Sequence, residues 1–218
     1  MWFAFQSREI GIMNIFEKGD YKPVPSSFRM RGVIALDELT KFQEEFNSFD
    51  TDTTINEIRD AIVGNYLDYD LLNFNKHGFD CKSSKTGKFL EVKQCSIFSK
   101  RLGGTWNDTN EEKAKAFSDS RLFTAVGVWK GASDLQFIVY GQHPNLGKYL
   151  LERVRAVANT STRSTQNVGI EKMIKDYGFS VICPPSKTKK FVHNLLINYK
   201  KDLGKIIKED DIKEIYDI

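Results

Sequence analysis

Two carboxylates and an amine stand out for their spacing: Asp80, ten residues, then Glu91-Val92-Lys93. The runs HGFDCKS and GKFLEVKQCSIF are rich in apolar and β-branched residues and flank Ser84-Lys85-Thr86-Gly87, a turn composition, so the pattern predicts a β-hairpin. With Ser84 to Gly87 as the turn, Ser83 faces Lys88, Cys81 faces Leu90 and Asp80 faces Glu91. Alternation then puts Phe79, Cys81, Leu90 and Val92 on an apolar face, and Asp80, Lys82, Glu91 and Lys93 on the other. Directly opposed like charges destabilise a sheet, so something positive must sit between the two carboxylates. Mg²⁺ takes one or two carboxylates together with waters and phosphate oxygens, which makes the pair a natural ligand set for a metal that also holds a phosphate. Lys93 projects to the same side, where it can orient or deprotonate a water, or offset charge developing on phosphorus. The bland alternative is a solvated hairpin face on which Lys82 and Lys93 neutralise the two acids weakly.

Acidic-x-Lys alone is uninformative, because the chain repeats it at Asp20-Lys22, Glu111-Lys113 and Asp211-Lys213. Context singles out Glu91-Lys93. It lies in an apolar run, opposite a second carboxylate, with an amphipathic helix upstream. That helix is expected over Thr54 to Leu67, with Ile55, Ile58, Ile62 and Tyr66 on one stripe, and Thr54-x-x-Glu57 has the form of a capping box. An earlier helix is expected from Leu36 to Phe49, after turn signals at Pro23, Pro25 and Gly32. Downstream, DTNEEKAKAF reads as a helix capped by Asp108 or Thr109. RLFTAVGVW and LQFIVYG read as strands buried on both faces of a central sheet. A helix follows His143-Pro144, then the polar loop Asn159 to Asn167, a short helix, the strand FSVIC and a Lys-rich tail. Gly103-Gly104 lacks a following Lys-Ser/Thr pair and reads as a flexible joint. The expected fold is a mixed α/β single domain over residues 1–218, a central sheet flanked by helices, with its chemical core at 54–141 and a helical, basic part at 142–218.

The hairpin resembles the active-site signature of the PD-(D/E)xK nucleases, the superfamily that includes most type II restriction endonucleases. The resemblance implies a restriction-endonuclease-like fold, with Asp80 and Glu91 as Mg²⁺ ligands, the Val92 carbonyl as a third and Lys93 as the catalytic lysine. The family helix before the hairpin often adds an acidic residue, which Glu57 could supply if it is not simply a cap. Gln94 is a residue type often found after the lysine, and Phe79 stands where the family has proline. The implied activity is Mg²⁺-dependent endonucleolytic hydrolysis of double-stranded DNA that leaves 5′-phosphates, most like a homodimeric type II restriction enzyme on a short palindrome. Two rivals remain: a structure-specific repair, recombination or phage nuclease of the same superfamily, and a non-catalytic DNA-binding module.

Candidate DNA contacts lie in two polar loops. Ser99 to Asn110 follows the catalytic strand and holds Lys100, Arg101, Trp106 and Asn107. The loop Asn159 to Asn167 holds Asn159, Thr162, Arg163, Gln166 and Asn167, with Arg153 and Arg155 just before it; Arg suits guanine, and Asn or Gln suits adenine. His77, near Asp80, is a weaker phosphate candidate.

Composition sets outer bounds. A chain of 218 residues, 40% hydrophobic and 12% aromatic, can bury one sizeable core and is not a disordered chain. Its longest apolar run falls far short of the roughly 18 residues a membrane-spanning helix needs. The start, MWFAFQSREIGIM, lacks a basic n-region and a cleavage site, and Met13 is a possible alternative start. Three cysteines without metal-ligand spacing suggest a reducing cytoplasm. The net charge of +3 permits nucleic-acid binding without announcing it.

Overall fold

In the computed structural model, which describes residues 23–46, 53–72, 79–107, 109–158 and 165–215, the alternation of apolar residues along three central strands divides the core in two. Strands β3 (Phe89–Ser96), β5 (Leu122–Lys130) and β6 (Asp134–Gly141) send Phe89, Val126 and Phe137 into one apolar cluster. Their neighbours Leu90, Ala125 and Ile138 enter the other. These strands are therefore buried on both faces, as their near-continuous apolar sequence requires.

The sheet has seven strands in the order β1-β2-β3-β5-β6-β8-β9, where β1 is Asp70–Leu71, β2 Cys81–Lys82, β8 Ser180–Cys183 and β9 Lys213–Glu214. The pairs β3/β5 and β8/β9 are parallel and the others antiparallel. Helices α1 (Ser26–Phe46) and α2 (Thr53–Tyr66) cover one face through Leu36, Ile58 and Val63. The other face carries α4 (Pro144–Val157), α5 (Ile170–Tyr177), α6 (Lys189–Tyr199) and α7 (Lys201–Ile206), which bury Leu146, Met173, Leu196 and Leu203. The short α3 (Glu111–Ala116) packs on α4. This is the mixed α/β architecture expected from the sequence, and no helix among the described residues is long and apolar enough to cross a membrane.

Three local expectations change. Helix α1 starts at Ser26, well before Leu36, and Gly32 lies inside it instead of marking a turn. A Cβ there would stand 2.8 Å from Ile58 Cγ2, so glycine permits the close approach of α1 to α2. Helix α3 is capped by Asn110, whose side chain accepts the Lys113 N–H at 2.7 Å, and not by Asp108 or Thr109. The two polar loops are not separate: β4 (Gly103–Trp106) and β7 (Gln166–Gly169), one from each, pair antiparallel as a ribbon.

Candidate active site

The hairpin forms in the expected register, with Cys81 opposite Leu90 and Lys82 opposite Phe89. Gly87 closes its turn at φ +69, a left-handed conformation that glycine adopts without a Cβ penalty. At Asp80 the ladder breaks. Its N–H still donates to Leu90 O at 3.1 Å, but its carboxylate bends back and Oδ2 accepts the Val92 N–H at 2.6 Å. Phe79 consequently falls on the face opposite the one expected, where its ring meets Phe89 and Phe117 at centroid distances of 5.9 and 6.4 Å. Asp80 is thus fixed by a charge-assisted hydrogen bond to the strand that carries Glu91.

Glu91 is only 1% exposed, which excludes the solvated-ladder alternative for this residue. Its Oε1 accepts from Lys93 Nζ at 2.7 Å and faces Lys113 Nζ at 3.2 Å, while Oε2 is buried with no hydrogen-bond partner among the described residues. Burial alone would raise its pKa, but the two ammonium groups outweigh burial and hold the carboxyl at about 2. Lys93 is the mirror case. Burial favours the neutral amine, yet Glu91, Asp80 and Asp60 together push its pKa up, so it stays charged. Both hairpin carboxylates therefore act on the same lysine.

Neighbouring elements shape that lysine's surroundings. Its ammonium lies 5.9 Å from the centre of the Trp106 ring. A Cβ on Gly104 would come within 2.8 Å of Trp106 and 3.0 Å of Lys93 Cγ. Gly103 likewise has no room for a side chain, since a Cβ would stand 2.3 Å from Val168 O. The Gly-Gly pair is a close-packing device in β4, not the flexible joint expected.

A cleft of about 930 Å³ opens beside Asp80, Val92 and Lys93. Among its described lining residues α2 contributes Asn56, Arg59 and Asp60, not Glu57, so the helix acid at the site is Asp60. The Thr54 side chain of the expected capping box lies outside the described residues. Asp60 Oδ1 accepts from Gln94 Nε2 at 2.7 Å, and Gln94 Oε1 accepts from Trp129 Nε1. Arg59 donates through Nε to Ala132 O at 2.8 Å and through Nη2 to Gly131 O, and burial lowers its pKa to about 10. Burial also raises the Cys95 thiol on the cleft wall to about 11, which makes it a poor nucleophile.

Of the expected DNA contacts, Lys100, Arg101, Asn107 and Asn167 line the cleft. Four others do not. Trp106 is fully buried, its ring edge-on to Phe117 at 5.9 Å. Gln166 is 4% exposed and accepts from Arg153 Nε at 3.3 Å, which occupies Arg153 as well. Arg155 pairs with Glu111 at 3.0 Å on the protein surface. An aromatic or amide in a polar stretch was expected to face solvent, but pairing of the stretch into a ribbon turns alternate residues inward. His77, Asn159, Thr162 and Arg163 lie outside the described residues.

Sequence reasoning missed Lys113 and Asp60. Lys113 belongs to one of the repeated acidic-x-Lys pairs, which spacing alone does not distinguish. The signal for Asp60 was present: Arg59 and Asp60 interrupt the apolar stretch Ile58 to Val63, and a charged pair inside such a helix is expected to be buried and partnered.

Among the described residues, no group of three His, Cys, Asp or Glu side chains is gathered for a metal. Two carboxylates and a backbone carbonyl nevertheless form a hard-oxygen donor set of the kind Mg²⁺ accepts when phosphate and water complete it. Glu91 Oε2 is a buried acceptor with no hydrogen-bond partner among the described residues. Asp80, Glu91 and Val92 O are in chemical type the donors a divalent ion takes, and of the three residues Asp80 and Val92 line the cleft. In comparisons with known proteins, no family model matches the chain and no curated sequence matches it significantly.

Proposed function

We propose that this protein is an Mg²⁺-dependent endonuclease that hydrolyses phosphodiester bonds of double-stranded DNA, sequence-specific in the manner of a type II restriction enzyme and acting as a homodimer. The observation that carries this reading is Glu91: a fully buried carboxylate with one oxygen on two lysines and the other without a hydrogen-bond partner among the described residues, on the strand whose Val92 and Lys93 line a polar cleft together with Asp80. A structural ion pair gains from having both oxygens satisfied. A ligand keeps one available.

Asp80, Glu91 and the Val92 carbonyl would hold the ion, which when bound acidifies a water and polarises a non-bridging phosphate oxygen. Lys93, whose ammonium contacts Glu91 at 2.7 Å, would orient the attacking water or offset charge developing on phosphorus. In-line attack by that water, its proton passing to solvent, would break the bond from phosphorus to the 3′-oxygen, which leaves as a hydroxyl after taking a proton from solvent, and the 5′-phosphate remains. Asp60 and Gln94 fix the strand beside Lys93. Lys100 and Arg101 at the cleft rim supply phosphate contacts, and Asn107 and Asn167 supply amides for base edges.

One observation favours a second reading, a non-catalytic DNA-binding module: Lys93 and Lys113 already neutralise Glu91 without a metal. Incubating the pure protein with plasmid DNA, with and without Mg²⁺, separates the readings. Discrete Mg²⁺-dependent fragments support the sequence-specific nuclease. A smear or junction-specific products support a structure-specific one, and intact plasmid supports the binding module.

A further inference from the structure

Lys113 reaches Glu91 from outside the hairpin, and nothing in the proposed chemistry uses it. It sits in the first turn of α3, which Asn110 caps, and its side chain is 29% exposed at the end of a flexible stem. Its ammonium lies 3.2 Å from the same Oε1 that Lys93 contacts at 2.7 Å. Two cations on one oxygen of a fully buried carboxylate repel each other. Lys93 alone would make the shorter contact, so a second ammonium is not needed to complete that hydrogen bond.

We propose that Lys113 is a competitor for the cation at Asp80 and Glu91: its ammonium supplies in the metal-free protein the positive charge that a divalent ion supplies when bound, so that each weakens the other's hold on Glu91. This rests on the metal-dependent reading above. The energetics follow from charge. A divalent ion near Glu91 feels repulsion from Lys113 a few ångströms away, and an ammonium on a four-carbon stem withdraws towards solvent more readily than Lys93, whose side chain is 17% exposed and packed beside Trp106. The coupling is reciprocal, so an anion that draws Lys113 away from Glu91, such as a DNA phosphate, tightens the site for the ion. The metal site is thereby weak in the resting protein.

The test is Mn²⁺ binding to the full chain, followed by the electron paramagnetic resonance of free Mn²⁺, in wild type, Lys113→Met, Lys113→Arg and Asp80→Asn. Lys113→Met keeps the aliphatic stem and removes the charge, and it is expected to bind Mn²⁺ about tenfold more tightly than wild type, the order expected from removing one unit charge at this range. Lys113→Arg keeps the charge and the wild-type affinity. Unchanged or weaker binding by a folded Lys113→Met overturns the inference, as does a gain of the same size in Lys113→Arg. If Lys113→Met does not fold, Lys113→Gln, which retains a donor for Oε1, carries the same expected gain and the same overturning result. Asp80→Asn keeps the two failures distinct. Wild-type binding that Asp80→Asn abolishes while Lys113→Met leaves affinity unchanged sinks the competitor alone, whereas no Mn²⁺ bound by any variant ends the metal reading and the competitor with it.

Discussion

Glu91 and Glu171 are each met by two lysines, and the contrast between them separates a built site from a surface ion pair. At Glu171, on α5, Lys175 takes Oε1 at 2.8 Å and Lys200 takes Oε2, so each oxygen has its own partner. Those side chains are 28% to 47% exposed, and water screens the charges. At Glu91 both lysines share one oxygen, the other has no hydrogen-bond partner among the described residues, and the carboxylate side chain is 2% exposed. The residue types are identical; burial and the distribution of partners differ. Elsewhere in the C-terminal part Lys172 pairs with Asp176, Lys205 with Asp202 and Lys187 with Asp134. Much of the basic charge of this region is thus neutralised locally, as a solvated helical face would be.

The largest expected difference comes from removing one lysine from each glutamate. Lys93→Met leaves Glu91 buried with only the longer contact to Lys113, and should cost about 3 kcal/mol of folding stability in urea unfolding. Lys175→Met at Glu171 should cost less than about 1 kcal/mol. Equal losses at the two sites would erase the distinction.

Acid should separate the pair next. Glu91 has its folded pKa depressed from 4.5 to about 2, so its contribution is fully present above about pH 4.5 and is lost as pH falls towards about 2. In Glu91→Gln this part of the acid limb should flatten. In Glu171→Gln the limb should change less at moderate salt, because that carboxylate is 29% exposed and its charge is screened.

A smaller effect tests the packing around the site. Gly104→Ala drives a methyl group into Trp106 and Lys93 Cγ, and about 2 kcal/mol of destabilisation is expected. Gly169→Ala, whose Cβ would meet only Leu102 O at an ordinary 3.7 Å, should be nearly neutral.

The parts of the molecule legible in the sequence are those that local pattern dictates. Alternation fixed the hairpin register through Cys81 and Leu90, and two near-continuous apolar runs marked β5 and β6 as central strands. What alternation could not convey was the break at Asp80, where a side chain replaces the backbone as hydrogen-bond partner and Phe79 changes face. The ribbon of β4 and β7 was hidden for a different reason. Its strands are short, polar and glycine-bearing, and their pairing is long-range: Gly103 meets Gly169 and Trp106 meets Gln166. Asp60 and Lys113 arrive at the site through helix packing, which no spacing rule within the hairpin can report.

Cleavage measured alongside binding tests the central claim most directly. Wild-type protein, Lys93→Met and Asp80→Asn would each be incubated with plasmid DNA and Mg²⁺, with DNA binding followed in parallel by mobility shift. Wild type should yield discrete fragments only with Mg²⁺, and both variants should bind DNA yet cut at least about 100-fold more slowly. Intact plasmid with the folded wild-type protein and Mg²⁺, or a Lys93→Met variant that cuts at the wild-type rate, would contradict it.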